Sequence, residues 1–177
     1  MVKVIVLGGT RYGRFLNSIN ESNLVSALSK AVVSGLSNSG QHEITILTTS
    51  DDLPTSQILE GTHIVKTAYS KDSLIAEFSG HDVVISTLGG SASHLQSRAI
   101  EAALHSSVRR FIPSEFGIDT ADLALMKLVH PLQRKIETQN QLKKLAADHP
   151  GFSYTLLSTG PWFDLVSRFF CGYHAQD

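Results

Sequence analysis

An α/β fold built on a parallel sheet is predicted by three features of the sequence. Short apolar runs rich in β-branched residues alternate with stretches of helical periodicity. Two of those runs, Val2–Thr10 (VKVIVLGGT) and Asp82–Gly90 (DVVISTLGG), stop on paired glycines. Both read as strands apolar on each face, which is how a strand covered by helices on two sides looks in sequence. Right-handed crossovers then favour a doubly wound sheet of order 3-2-1-4-5-6.

The elements follow in chain order. After the first strand, Arg11–Glu21 shows neither alternation nor a helical stripe and reads as a long loop. Leu24, Leu28, Val32 and Leu36, with Val25 and Ala31 beside them, form a helical face, with Ser22 as N-cap and Gly40 beyond the end. Glu43–Thr49 is the second strand, and Asp51–Gly61 a loop punctuated by Pro54 and Gly61. Thr62–Ala68 is the third strand, and Lys71–Ser79 a helix carrying Leu74, Ile75 and Phe78. The fourth strand, Asp82–Thr87, leads to a helix over Ser93–Ser106 with Leu95, Ala99, Ala102 and Ala103 inward. Val108–Pro113 is the fifth strand. A helical stretch from about Leu123 to Asp148 is broken where Pro131 falls. Phe152–Leu157 is the sixth strand, and a further helix opens after Gly160–Pro161.

Composition narrows the function classes. With 177 residues and 42% hydrophobic content, the chain is expected to be a single globular domain. A formal net charge of -1 gives no basis for nucleic-acid or anionic-membrane binding. One cysteine, Cys171, cannot pair within the chain, so a reducing, cytoplasmic setting is expected. There is no spanning-length apolar run and no signal-peptide pattern. The eight histidines include no pair at the spacing that shares a zinc turn or a helix face, so no metal is expected.

In the predicted strand order the first and fourth strands are neighbours, and a ligand crevice lies beyond their carboxyl ends. Gly8–Gly9 and Gly89–Gly90 then stand at the two lips of one crevice, where small residues let a dinucleotide approach the backbone.

Three later stretches narrow the reading further: Asp82–Gly90, Arg110–Asp119 (RFIPSEFGID) and Ser153–Asp164 (SYTLLSTGPWFD). In this order and spacing, after a Gly-ended first strand, the chain resembles the isoflavone-reductase-like (NmrA-like) branch of the atypical short-chain dehydrogenases. Pro113–Gly117 is the most specific block, and the resemblance covers nearly everything except Arg11 to about Ser29. It implies a Rossmann fold and reduction of a small, often aromatic, molecule with NAD(P)H, NADP(H) before NAD(H); some relatives only sense the cofactor. It also implies a catalytic lysine near the nicotinamide, which falls on Lys135, with Lys127 the second candidate. An ammonium there can hold the cofactor ribose and protonate a developing oxyanion. Arg134, Lys135, Lys143 and Lys144 read equally as a solvated helix face.

The cofactor-binding candidates are Gly8, Gly9, Thr10 and Gly13 at the first turn, and Thr49 after the second strand. Thr87, Leu88 and Gly89 follow the fourth strand, Ser114, Glu115 and Phe116 the fifth, and Gly160 and Pro161 the sixth. Plain structural roles exist beside these: packing for Phe116, a helix-start carboxylate for Glu115, a turn for Gly160–Pro161. The usual Tyr-x-x-x-Lys pair is absent, and Gly89–Ser93 lacks the last glycine of a nucleophile elbow. The second strand ends Thr48-Thr49-Ser50-Asp51-Asp52, without the basic residue that clamps a 2′-phosphate.

Two departures bear on activity. Arg11 and Arg14 stand where the family's second and third glycines belong, Gly13 is out of register, and Arg11–Ser29 reads as an insertion if the helix proper starts at Lys30. A helix start displaced from the strand tip is expected to weaken diphosphate binding, with Arg11 and Arg14 as substitute ligands. The family's C-terminal substrate lobe is expected to be largely absent, which would leave Trp162, Phe163, Phe169 and Phe170 as an exposed apolar patch. A reductase acting on a small-molecule substrate, a dinucleotide sensor with a protein partner, and an inactive truncated product are therefore the three readings.

Overall fold

The computed structural model describes residues 1–8, 21–49, 61–119, 133–160 and 162, with backbone alone for 21–27 and 90–91. Strands β1 (Val2–Leu7), β2 (His42–Thr48), β3 (Thr62–Lys66), β4 (Val83–Ser86), β5 (Arg110–Ile112) and β6 (Ser153–Tyr154) form one sheet of order β3-β2-β1-β4-β5-β6. Every pairing is parallel, with Val4 opposite both Ile44 and Val83, and Val83 opposite Arg110. The expected order therefore holds, and all six carboxyl ends share one edge. Helices α1 (Glu21–Asn38), α2 (Lys71–Phe78), α3 (Gln96–Leu104) and α4 (Gln133–Asp148) make the crossovers, with a 3-10 turn over Gly90–Leu95 ahead of α3.

The alternation of each strand divides the core. Ile5, Leu7, Leu47 and Val84 face α2, α3 and α4, where Leu74, Phe78, Ala99, Ile100, Ala103 and Leu142 are buried against them. Val4, Val6, Ile44, Ile46 and Ile85 face the other way, onto Val33 of α1 and Phe116. A strand such as β1 buries four successive side chains and has no polar face to show, which is why its sequence lacks alternation.

Several boundaries and faces differ from the sequence reading. Helix α1 spans Glu21–Asn38, so Ser22, expected as its N-cap, lies inside it, and the alternative start at Lys30 does not hold. Its buried line runs through Ser29 and Val33, each about 1% exposed, with Leu28, Val32 and Leu36 flanking it and Ala31 exposed. A stripe along every fourth residue drifts around a helix of 3.6 residues per turn, so the apolar positions miss the line of closest approach by one. Strands β3, β4, β5 and β6 are shorter than read, and β2 keeps its length but starts one residue earlier. The stretch over Ser93–Ser106 is a 3-10 turn until Leu95 and becomes α-helical at Gln96. Trp162 is partly buried against the Val4–Val33 core, its indole N–H bonded to Thr159 Oγ1 at 3.2 Å, so it is no exposed patch. The kink at Pro131, Lys127, the 51–60 loop, Phe163, Phe169, Phe170 and Cys171 lie outside the described residues. No helix among the described residues is long and apolar enough to cross a membrane, and none of their side chains cluster as metal ligands.

Tyr69 ties three strand ends together. It is about 2% exposed, and its hydroxyl accepts from the Gly8 N–H (3.2 Å) and donates to the Leu47 carbonyl (2.9 Å). Burial holds its phenol above the ordinary tyrosine value, so the group stays a neutral donor. Its φ of 55° is a left-handed conformation that side chains resist, at a cost of about 1–3 kcal/mol. Arg98 holds the strained turn by donating to the Tyr69 carbonyl at 3.0 Å. Tyr69→Phe keeps the packing and strands a buried N–H and a buried carbonyl. It is expected to lower unfolding free energy by about 1–3 kcal/mol in urea, with an unchanged circular dichroism spectrum.

Candidate functional site

The carboxyl edge of the sheet brings together the ends of β1, β4 and β5, three adjacent strands. Strand spacing of about 4.8 Å places the β5 exit roughly 10 Å from the β1 exit, the scale of an extended ligand laid across the edge.

The β1 exit is Gly8, whose φ of 119° favours glycine. A Cβ there would run into Thr87 Oγ1 and lie 3.0 Å from the Thr87 carbonyl oxygen, so only glycine lets β1 and the β4 exit close up. Thr87 is fully buried. Its N–H and its hydroxyl both donate to the Leu7 carbonyl, at 2.8 and 2.5 Å, and the hydroxyl lies 2.6 Å from Ser29 Oγ. Thr87 is thus a clasp joining β1, β4 and α1, with its hydroxyl engaged inside the protein. Leu88 is buried in the core, and Gly89 continues the β4 exit in extended conformation ahead of the 3-10 turn.

Ser29 shows where α1 meets the sheet. Gly40 and β2 follow the helix, and β2 starts opposite Val2, so the C-terminal end of α1 returns to the amino edge. The eight residues of α1 ahead of Ser29 therefore extend roughly 12 Å past the carboxyl edge, at 1.5 Å each. At the level of the strand tips the helix presents its interior, where each N–H is spent on the carbonyl four residues back. An ordinary dinucleotide turn presents free N–H groups there. Gly8 and Ser29 both abut Thr87. Gly9, Thr10, Arg11, Gly13 and Arg14 lie outside the described residues.

The β5 exit is built around Lys135. Ser114 is half-buried, Glu115 is about 2% exposed, and Phe116 packs into the α1-side core, its structural reading. From α4, Lys135 reaches over this exit and its ammonium donates to the Glu115 carbonyl, close to Gly117. Burial depresses the Lys135 pKa and the Glu115 carboxylate partly offsets that, leaving it below the ordinary lysine value. Its neighbour Arg134 donates to Ser93 Oγ at 3.0 Å, so α4 touches the segment after β4 as well. Lys143 and Lys144 are exposed, which separates Lys135 from the solvated face. Gly160, after β6, donates its N–H to the Gly117 carbonyl at 3.0 Å; Pro161 lies outside the described residues.

At the β2 exit Thr48 is buried and Thr49 exposed. Ser29, Tyr69 and Gln96 were not singled out from sequence as groups that hold this edge together. Tyr69 and Gln96 carry no motif, and only their burial and bonding reveal them. A nicotinamide fits the β5 end of the edge, where a half-buried ammonium stands beside a strand exit. The diphosphate end fits less well, because α1 turns no free N–H groups to the β1 tip.

Comparison with known proteins agrees with this geometry. Residues 26–164 match the family model described as NAD(P)H-binding, a match that begins three residues ahead of Ser29. An oxidoreductase of Aspergillus flavus, aprR, is 33% identical over 144 residues, which cover 81% of this chain and 48% of that protein. An isoflavone reductase-like protein of Olea europaea is 28% identical over 185 aligned positions, covering 97% of this chain and 50% of its own. The chain thus spans about half the length of the curated relatives it matches. An Escherichia coli NADPH-dependent quinone oxidoreductase, solved with NADPH, shares the fold at TM-score 0.67 and 16% identity, covering 96% of this chain and 51% of that one.

Replacing residues 11–28 with a four-residue glycine turn, so that the helix starts beside Thr87, is expected to tighten NADPH binding at least tenfold, about 1.4 kcal/mol. Calorimetric titration of both proteins checks this. An equal affinity in a folded variant would show that the overhanging turns do not hinder the diphosphate.

Proposed function

The chain belongs to the isoflavone-reductase-like (NmrA-like) family of NAD(P)H-binding proteins, and we propose that it is an NAD(P)H-dependent reductase of a small molecule, with aromatic compounds the class to try first. The observation that carries the proposal is Lys135, a half-buried ammonium aimed at the β5 exit. The bound dinucleotide supplies the hydride. The part of Lys135 is to hold a proton beside the reacting carbon's oxygen and to stabilise negative charge as it develops there. A depressed pKa makes it a readier donor than an ordinary lysine. The exits of β1 and β4 are the seat proposed for the rest of the cofactor, with Gly8 and Gly89 as its small lips.

NADP(H) is proposed over NAD(H). Support comes from the exposed Thr49 at the β2 exit, a hydroxyl where NAD sites carry an acid.

Titration with NADPH and NADH, followed by turnover with aromatic ketones and enones, tests the proposal. Lys135→Met is expected to lower turnover by about 10²–10⁴-fold and to leave NADPH affinity within a few-fold. An unchanged rate would remove Lys135 from the chemistry, and binding with no turnover on any substrate would favour a sensor.

The sign of the pH dependence follows from the same group. Lys135 must be protonated to donate, and its pKa lies below the ordinary value. Turnover is therefore expected to fall as pH rises through that lowered value, with the alkaline limb absent from Lys135→Met.

A further inference from the structure

Behind Lys135 lies a buried amide, Gln96, the first residue of α3 and about 4% exposed. Its Oε1 accepts the Ser114 N–H at 2.8 Å. Its Nε2 faces Thr138 Oγ1 at 3.5 Å, the long limit of a hydrogen bond. The Ser114 N–H can only donate, so the amide oxygen must face it and the NH₂ must face Thr138. Thr138 is about 8% exposed and lies three residues after Lys135, on the same helix face. Lys135 in turn donates to the carbonyl of Glu115, the residue after Ser114. The result is a closed ring. The β5 exit and α4 are joined once directly, through Lys135, and once through α3, by way of Gln96.

We infer that Gln96 is a positioning residue for Lys135. It holds the β5 exit and the first turns of α4 at a fixed separation, so that the ammonium stays over Glu115–Gly117 instead of turning out to water. A buried amide suits the task because it offers an acceptor to one element and a donor to the other, and a lost bond at a buried site is not replaced by water. Among the described residues, few charged groups face Lys135. Glu115 lies across from it on the β5 exit, Arg134 on its own helix is turned to Ser93, and Gln96 and Thr138 carry no charge. The role in catalysis rests on the reading of Lys135 as proton donor, whereas the positioning can be read without turnover.

The test is competitive acetylation of the full chain without cofactor, against an added amine standard, with the Lys135 peptide followed by mass spectrometry from neutral to alkaline pH. In the native chain Lys135 is expected to titrate below an ordinary lysine. Gln96→Met and Thr138→Val should move that titration toward the ordinary value by half a unit or more, a change of about threefold in reactivity. Thr138→Ser, which keeps the hydroxyl, should titrate like the native chain and serves as the rescue. Should Gln96→Met fail to fold, the Thr138→Val and Thr138→Ser pair carries the test alone. The inference is overturned if the variants melt at lower temperature yet leave the Lys135 titration where it was. Because no reduction is measured, that failure is distinct from failure of the reductase reading, which the NADPH and turnover assays decide.

Discussion

Close approach of β1 to the β4 exit, possible only because Gly8 has no side chain, is the constraint on which this edge of the sheet depends. It lets the Thr87 N–H and hydroxyl both reach the Leu7 carbonyl, and it leaves that hydroxyl free to meet Ser29 on α1. Tyr69 reinforces the same point from the other side, bonding Gly8 and Leu47. Four elements converge on a few buried polar atoms there. Each of those atoms is satisfied by a neighbour, as the low dielectric of the interior demands.

The two ends of the candidate site differ in how well they are built. At the β5 exit, burial and a single carboxylate set the charge behaviour of Lys135, and a ring of hydrogen bonds from α3 and α4 surrounds it. At the β1 exit, the helix that should end beside the strand instead runs past it. Helical N–H groups are available to an anion only in the first turn, so eight extra residues move that resource away from the glycine lip. The seat proposed for the nicotinamide, at the β5 exit, agrees with family membership, while the departure lies at the β1 exit.

Much of this was legible in the residues themselves. Strand order followed from the alternation of apolar runs with helical stretches, because short parallel strands need crossovers and crossovers have one hand. Lys135 and the Ser114–Phe116 block were pointed to by the family resemblance, and the structure brings the two together at the β5 exit. The inward face of α1 was read one residue away from the true line, since Ser29, a polar residue, occupies a core position by bonding Thr87. Trp162 was read as exposed, although it closes over the Val4–Val33 core. Both misreadings have one cause: hydrophobicity at a position does not say which partner lies across from it.

What the sequence by itself determined was the layering, the adjacency of the two glycine-ended strands and the family, all of which depend on local pattern and short-range spacing. Only the tertiary structure decided that Ser29 sits at the strand tip, that Tyr69 is locked in a left-handed turn, and that Gln96 bridges the β5 exit to α4. Those facts rest on contacts between residues 18 to 61 positions apart in the chain. A polar side chain chooses such partners only after packing has brought them within bonding distance, and nothing in its neighbours along the chain announces the choice.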